Sequence, residues 1–114
     1  MSRYDYVVPE PVRDLIKWEL KNYYTTIRTV GTVSGARPRE RMEQVIGAIE
    51  ETIDESDPID RKIAELSLIK CYYNAVGAGM CVGCSQSEAY ARINSFIARV
   101  AIKLGYDIKK KERA

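Results

Sequence analysis

Two groups of residues have types and spacings that could do chemistry. The first is Cys81-Val-Gly-Cys84, a CxxC with Cys71 ten residues upstream. Thiolates at this spacing serve structural zinc or thiol–disulfide exchange. A zinc site wants four Cys or His ligands; this chain has three cysteines and no histidine. A redox CxxC wants a βαβ setting, and no β-alternation of useful length occurs. Inward packing of free cysteines is therefore the expectation, with no metal and no cofactor. Without histidine the commonest general base is also missing. Carboxylate neighbours such as Glu50/Glu51 and Asp54/Glu55 sit among other charges with no nucleophile nearby. Gly77 and Gly79 lack the lysine of a phosphate loop. No enzyme signature emerges.

The second group is Gln86, Ser87, Ala89, Tyr90, Arg92, Arg99 and Lys103. On a helix, steps of seven and four place Arg92, Arg99 and Lys103 in one narrow sector, a row able to neutralise phosphates. Gln86, Ser87, Ala89 and Tyr90 fall in the first turns, where a recognition helix meets base edges. Gln pairs bidentately with adenine, and Ser donates and accepts. Glu88 would repel phosphate unless it accepts from a cytosine amine. An ordinary solvated cationic face accounts for the row equally.

The helix carrying them is defined by its own residues. Ser85-Gln-Ser-Glu88 is a capping box. Ala89, Ile93, Phe96, Ile97, Val100, Ala101 and Leu104 make one apolar stripe, and Gly105 suits a left-handed C-cap. Upstream, Gly79 and Gly83 bracket a short helix and a turn. Gly79 suits a close helix crossing and Gly83 a positive φ. The pattern over residues 76–105 is that of a helix-turn-helix; a plain αα-hairpin with no nucleic-acid role fits it too.

Before this motif, residues 1–11 read as an extended arm held by its tyrosines. Residues 12–29 form a helix with Val12, Leu15, Ile16, Leu20, Tyr23 and Ile27 inward and Lys17, Lys21 and Arg28 off that face. Residues 31–38 are a loop. A helix over residues 39–54 buries Met42, Val45, Ile46, Ile49 and Ile53. Arg37, Arg39 and Arg41 crowd its start, where a helix N-terminus disfavours cations. Ser56-Asp-Pro58 breaks the chain, and residues 60–74 form a further helix capped by Asp57 or Asp60. Residues 107–114 are a basic tail, expected to be disordered. The expected fold is all-α, four to five helices ending in a helix-turn-helix. Its organisation is an arm and helix (1–34), then a helical bundle (35–114), as one unit. The 114 residues are 46% hydrophobic and 30% charged, enough for one core. A net charge of +2 neither demands nor excludes nucleic acid. No apolar run approaches twenty residues, so no membrane partner is expected.

Four stretches stand in the order found in small phage-encoded late transcription activators of the RinA/ArpU type, which the chain resembles. They are WELKNYYTTIRTV, RERMEQVIGAIEETI, ELSLIKCYYN and SQSEAYARINSFIARVAIKLGY. The family's tyrosine-bearing helix end corresponds to Lys70-Cys-Tyr-Tyr73. Its serine-led recognition helix corresponds to Ser85–Tyr90, closing at Val100-Ala101 and Leu104-Gly105. The family's preceding helix is ordinarily polar, whereas residues 77–83 are glycine-rich. The resemblance implies a fold like the fourth region of sigma factors and binding to double-stranded DNA near phage late or packaging genes. It also implies activation of transcription, contact with RNA polymerase, and the cytoplasm of a bacterial host. The competing expectation is a helical phage assembly or interaction subunit, a homo-oligomer using Tyr23, Tyr24, Tyr72, Tyr73 and the arm.

Overall fold

The computed structural model describes residues 6–111. Among the described residues the fold is all-α apart from one antiparallel ribbon of two two-residue strands. After β1 (Tyr6–Val7) come α1 (Glu10–Lys21), α2 (Tyr23–Val30), α3 (Ala36–Glu55) and α4 (Pro58–Ala64). A π-helical turn (Glu65–Ile69) leads to α5 (Ala75–Cys81), α6 (Gln86–Lys103) and β2 (Lys109–Lys110).

The single helix expected over residues 12–29 is two. Asn22 separates α1 from α2, with its side-chain Nδ2 donating to the Trp18 carbonyl at 2.8 Å. A short polar side chain that takes a helical carbonyl competes with the backbone ladder and loosens it there. Ile16 and Leu20 of α1 are buried as expected, but Leu15 and Ile27 are exposed.

In α3 burial deepens only at Val45; from Ala36 to Gln44 just Met42 is even half-buried. The loop end of the α2–α3 hairpin thus stands away from the core. The arginine at its start has a local purpose. Arg39 donates from Nε to Val30 O and from Nη2 to Gly31 O (3.4 and 3.1 Å), satisfying carbonyls at the end of α2. Arg61 does the same for α3, reaching Ile53 O at 2.8 Å and Asp54 O at 3.0 Å.

At the root of this hairpin, Tyr23 is buried and donates from Oη to Glu50 Oε2 at 2.9 Å. Burial, then this hydrogen bond, push its phenol up to about 12. An unfolded tyrosine titrates near 10. The native state therefore holds a proton that the unfolded chain has lost between pH 10 and pH 12. Stability from this group is complete below about pH 10 and is lost as pH rises through that window, by about 2 to 3 kcal/mol in all. Urea melts across pH 9 to 12 should show the decline, and Tyr23→Phe should remove that share of it. An unchanged slope in the variant would refute the assignment.

Asp57 caps α4, accepting from Asp60 N at 2.8 Å, with Pro58 following at a position that needs no donor. The helix expected to continue to Asn74 instead widens at Glu65–Ile69 and stops. Lys70 N reaches back five residues to Glu65 O, and Cys71 takes a left-handed φ of 56°. Asn74 then caps α5 through Gly77 N.

α6 is the central element. Ile93, Phe96, Ile97, Val100 and Ala101 form its buried stripe, as the periodicity predicts, and α1, α3, α4 and α5 all pack on it. The core joins Ile16 and Leu20 from before the α2–α3 loop to Ile49, Ile63 and Phe96 after it.

The N-terminal arm is held through Tyr6 as expected, whereas residues 108–110 of the tail, expected to be disordered, are paired or packed. Tyr6 pairs with Lys110 and Val7 with Lys109 in an antiparallel ribbon, with Tyr6, Tyr106 and Ile108 packed against the core. Tyr4 and residues 112–114 lie outside the described residues.

Candidate nucleic-acid interface

The turn between α5 and α6 is set by hydrogen bonds that close the end of α5. Cys84 N donates to Gly79 O at 2.8 Å and Gly83 N to Met80 O at 3.3 Å, with Gly83 at φ 77°. This is a Schellman cap, whose left-handed residue glycine fills without steric cost. Tyr106 N to Ala101 O and Gly105 N to Ile102 O, with Gly105 at φ 93°, repeat the arrangement at the end of α6. Gly79 serves the close approach: a Cβ placed on it would lie 2.7 Å from the Ala89 Cβ. Ser85 caps α6, its Oγ accepting from Glu88 N at 3.2 Å. The Glu88 carboxylate is engaged by Arg92.

The sequence-predicted site divides into three parts. Gln86, Ser87 and Tyr90 are exposed on the first turns of α6. Ala89 is not: it is 0% exposed beneath α5, so its expected place among base contacts is corrected to a packing role.

The cationic row is also corrected. Arg92 is 8% exposed and donates from Nη1 to Asp60 Oδ1 at 2.6 Å. Its Nη2 meets Glu88 Oε1 at 3.0 Å, and Asp57 lies 3.3 Å from Nη1. Arg99 donates to Ser56 Oγ at 3.0 Å and lies 3.5 Å from Glu55 and 3.6 Å from Asp60. Lys103 Nζ meets Glu55 at 2.7 Å. The expected sector is real, but it faces the α3–α4 junction and its acids. In the free chain these cations are therefore partnered by carboxylates rather than presented as an open row.

On the opposite flank of α6 runs a groove of about 990 Å³, walled by Tyr90, Asn94 and Ile97 on one side and by Arg13, Lys17 and Lys21 of α1 on the other. Asn94 ties the walls together. Its Oδ1 accepts from Arg13 Nη2 at 2.8 Å, and its Nδ2 donates to Tyr6 O at 2.9 Å. Lys111 also lines the groove; no Asp or Glu does, among the described residues. Sequence reasoning placed Lys17 and Lys21 off the apolar face without linking them to α6. Their four-residue spacing after Arg13 was the available signal.

Of the cysteines, Cys71 and Cys81 are exposed, against the expectation of inward packing, and only Cys84 packs against the core. Burial first, then the Glu88 charge, raise the Cys84 thiol above its ordinary value. No three His, Cys, Asp or Glu side chains among the described residues converge as metal ligands. No helix among them is long and apolar enough to cross a membrane. Compared with known proteins, the chain matches no family model, no curated protein and no solved structure.

Proposed function

We propose that this chain is a sequence-specific DNA-binding transcription regulator, with α6 as its recognition helix. The observation that carries the reading is the α5–turn–α6 unit. A short helix crosses a long one at the Gly79–Ala89 contact, Gly83 makes the turn, and Gln86, Ser87 and Tyr90 stand exposed on the leading turns. A helix presented in this way fits the major groove end-on, with polar side chains at base-edge height. A phage or prophage origin, activation of late or packaging genes and contact with RNA polymerase are part of the proposal and rest on the resemblance to the RinA/ArpU type.

Selection of bound fragments from random duplex DNA, followed by affinity measurements, tests this. The expected result is an enriched motif bound far more tightly than random duplex. Gln86→Ala should relax preference at one position, costing about 1 to 3 kcal/mol of discrimination there. The absence of any enriched motif would overturn the reading.

One observation favours a second reading, an assembly or interaction subunit: Trp18 is 62% and Tyr72 71% exposed, and the α2–α3 hairpin stands clear of the core. Aromatic side chains are favoured at interface centres. Tyr23, however, is buried and drops out of that surface. This reading predicts a stable oligomer and duplex binding indifferent to sequence.

A further inference from the structure

We propose that the groove between α1 and α6 grips the sugar-phosphate backbone of the DNA, with Lys17 and Lys21, flanked by Arg13 and Lys111, as the phosphate contacts. The inference rests on the DNA-binding reading and relocates its electrostatics to the other side of the recognition helix.

Three observations carry it. First, the groove has a single sign of charge: four cations line it and, among the described residues, no carboxylate does. A cleft of one sign between low-dielectric walls focuses its field on a polyanion. The cations of the opposite flank, by contrast, already face Glu55, Asp57, Asp60 and Glu88. Second, Lys17 and Lys21 are exposed on the groove wall, so their ammonium groups can meet phosphate oxygens directly. Third, Arg13, Lys17 and Lys21 recur every four residues, so they form a row rising about 6 Å per step along α1. A small anion is best held by cations that converge on one point. A row suits a linear chain of phosphates.

Continuity with the reading face gives the register. Tyr90 is exposed on the first turns of α6 and also lines the groove, so bases met by Gln86 and Ser87 would lie beside the strand that α1 holds. Phosphate contacts fix position and carry no sequence information, whereas the leading turns of α6 would read the bases.

The test uses the full chain and two double variants that each remove two positive charges. One is Lys17→Ala with Lys21→Ala. The other is Arg37→Ala with Lys62→Ala, exposed cations outside the groove. Affinity for the selected duplex and for random duplex is measured across a salt series, after circular dichroism shows unchanged melting. For the groove variant we expect about tenfold weaker binding to both duplexes, the same sequence ranking, and a log–log salt slope shallower by about 2. The control variant should keep nearly the full slope. If the wild type binds and the groove variant matches it, or the control loses as much, the grip is misplaced while the DNA-binding reading stands. If the wild type binds no duplex at all, both fall together.

Discussion

Arg92→Ala is expected to lower the stability of the fold by about 3 to 5 kcal/mol, because it strands a buried carboxylate. Asp60 is 3% exposed and its nearest cation is Arg92, at 2.6 Å. Arg99 remains 3.6 Å away and softens the loss without replacing the hydrogen bond, which places the expectation toward the lower end of that range. Arg92→Met should cost nearly as much. It retains the apolar stem and removes only the charge and donors. Adding Asp60→Asn to Arg92→Ala should recover part of the loss, since a neutral amide is far cheaper to bury than an unpaired carboxylate. Urea melts of the three variants decide the matter, and a loss below about 1 kcal/mol for Arg92→Ala would overturn the argument. The outcome also separates two roles for the arginine. A phosphate ligand would leave the free protein's stability unchanged and flatten the salt dependence of DNA binding. A structural anchor for α6 would do the reverse.

That distinction marks where sequence reading reaches its limit. The start, stripe and end of α6 were legible, because capping and apolar periodicity are local properties of one segment. So were the uses of Gly79 and Gly83, where backbone conformation or close approach admits few alternatives. The side of α6 that carries Arg92, Arg99 and Lys103 was legible as a sector, but not what it faces. Its partners Glu55, Asp57 and Asp60 come from a bend some 40 residues earlier, and no helical period relates the two. The groove lay hidden for the same reason, since α1 and α6 are brought together only by the core. The ribbon joining Tyr6 to Lys110 spans nearly the whole chain. Smaller departures have local causes that propensity alone understates: the Asn22 amide that divides α1 from α2, and the π turn before Cys71. Arg37, Arg39 and Arg41, in the first turns of α3, were read as misplaced against the helix dipole. For Arg39 the carbonyls at the end of α2 supply what the dipole does not.

Gly79→Ala should in turn destabilise the protein by about 1 to 3 kcal/mol, in the range of other overpacked cores and despite the better helix propensity of alanine. The added methyl would sit 2.7 Å from the Ala89 Cβ, with Cys84 atoms 3.7 Å away on the same side. A Cβ has no rotamer by which to withdraw, so relief requires α5 to move off α6. Ala89→Gly opens that space and by itself costs about 1 kcal/mol in helix propensity. If the contact is the cause, the double variant is more stable than the sum of the single losses predicts, with a coupling of about 1 kcal/mol or more. Additive losses would mean that the crossing is looser than it looks. The same cycle weighs the two readings of the motif. A plain αα-hairpin accommodates a shift of α5 at a cost in stability alone. A DNA-reading unit depends on the angle at which α5 presents α6, so Gly79→Ala should lose preference for the selected duplex even at temperatures where it is fully folded. Ala89→Gly in the same chain should then restore that preference together with the stability. Stability restored without preference would tie the crossing to folding alone.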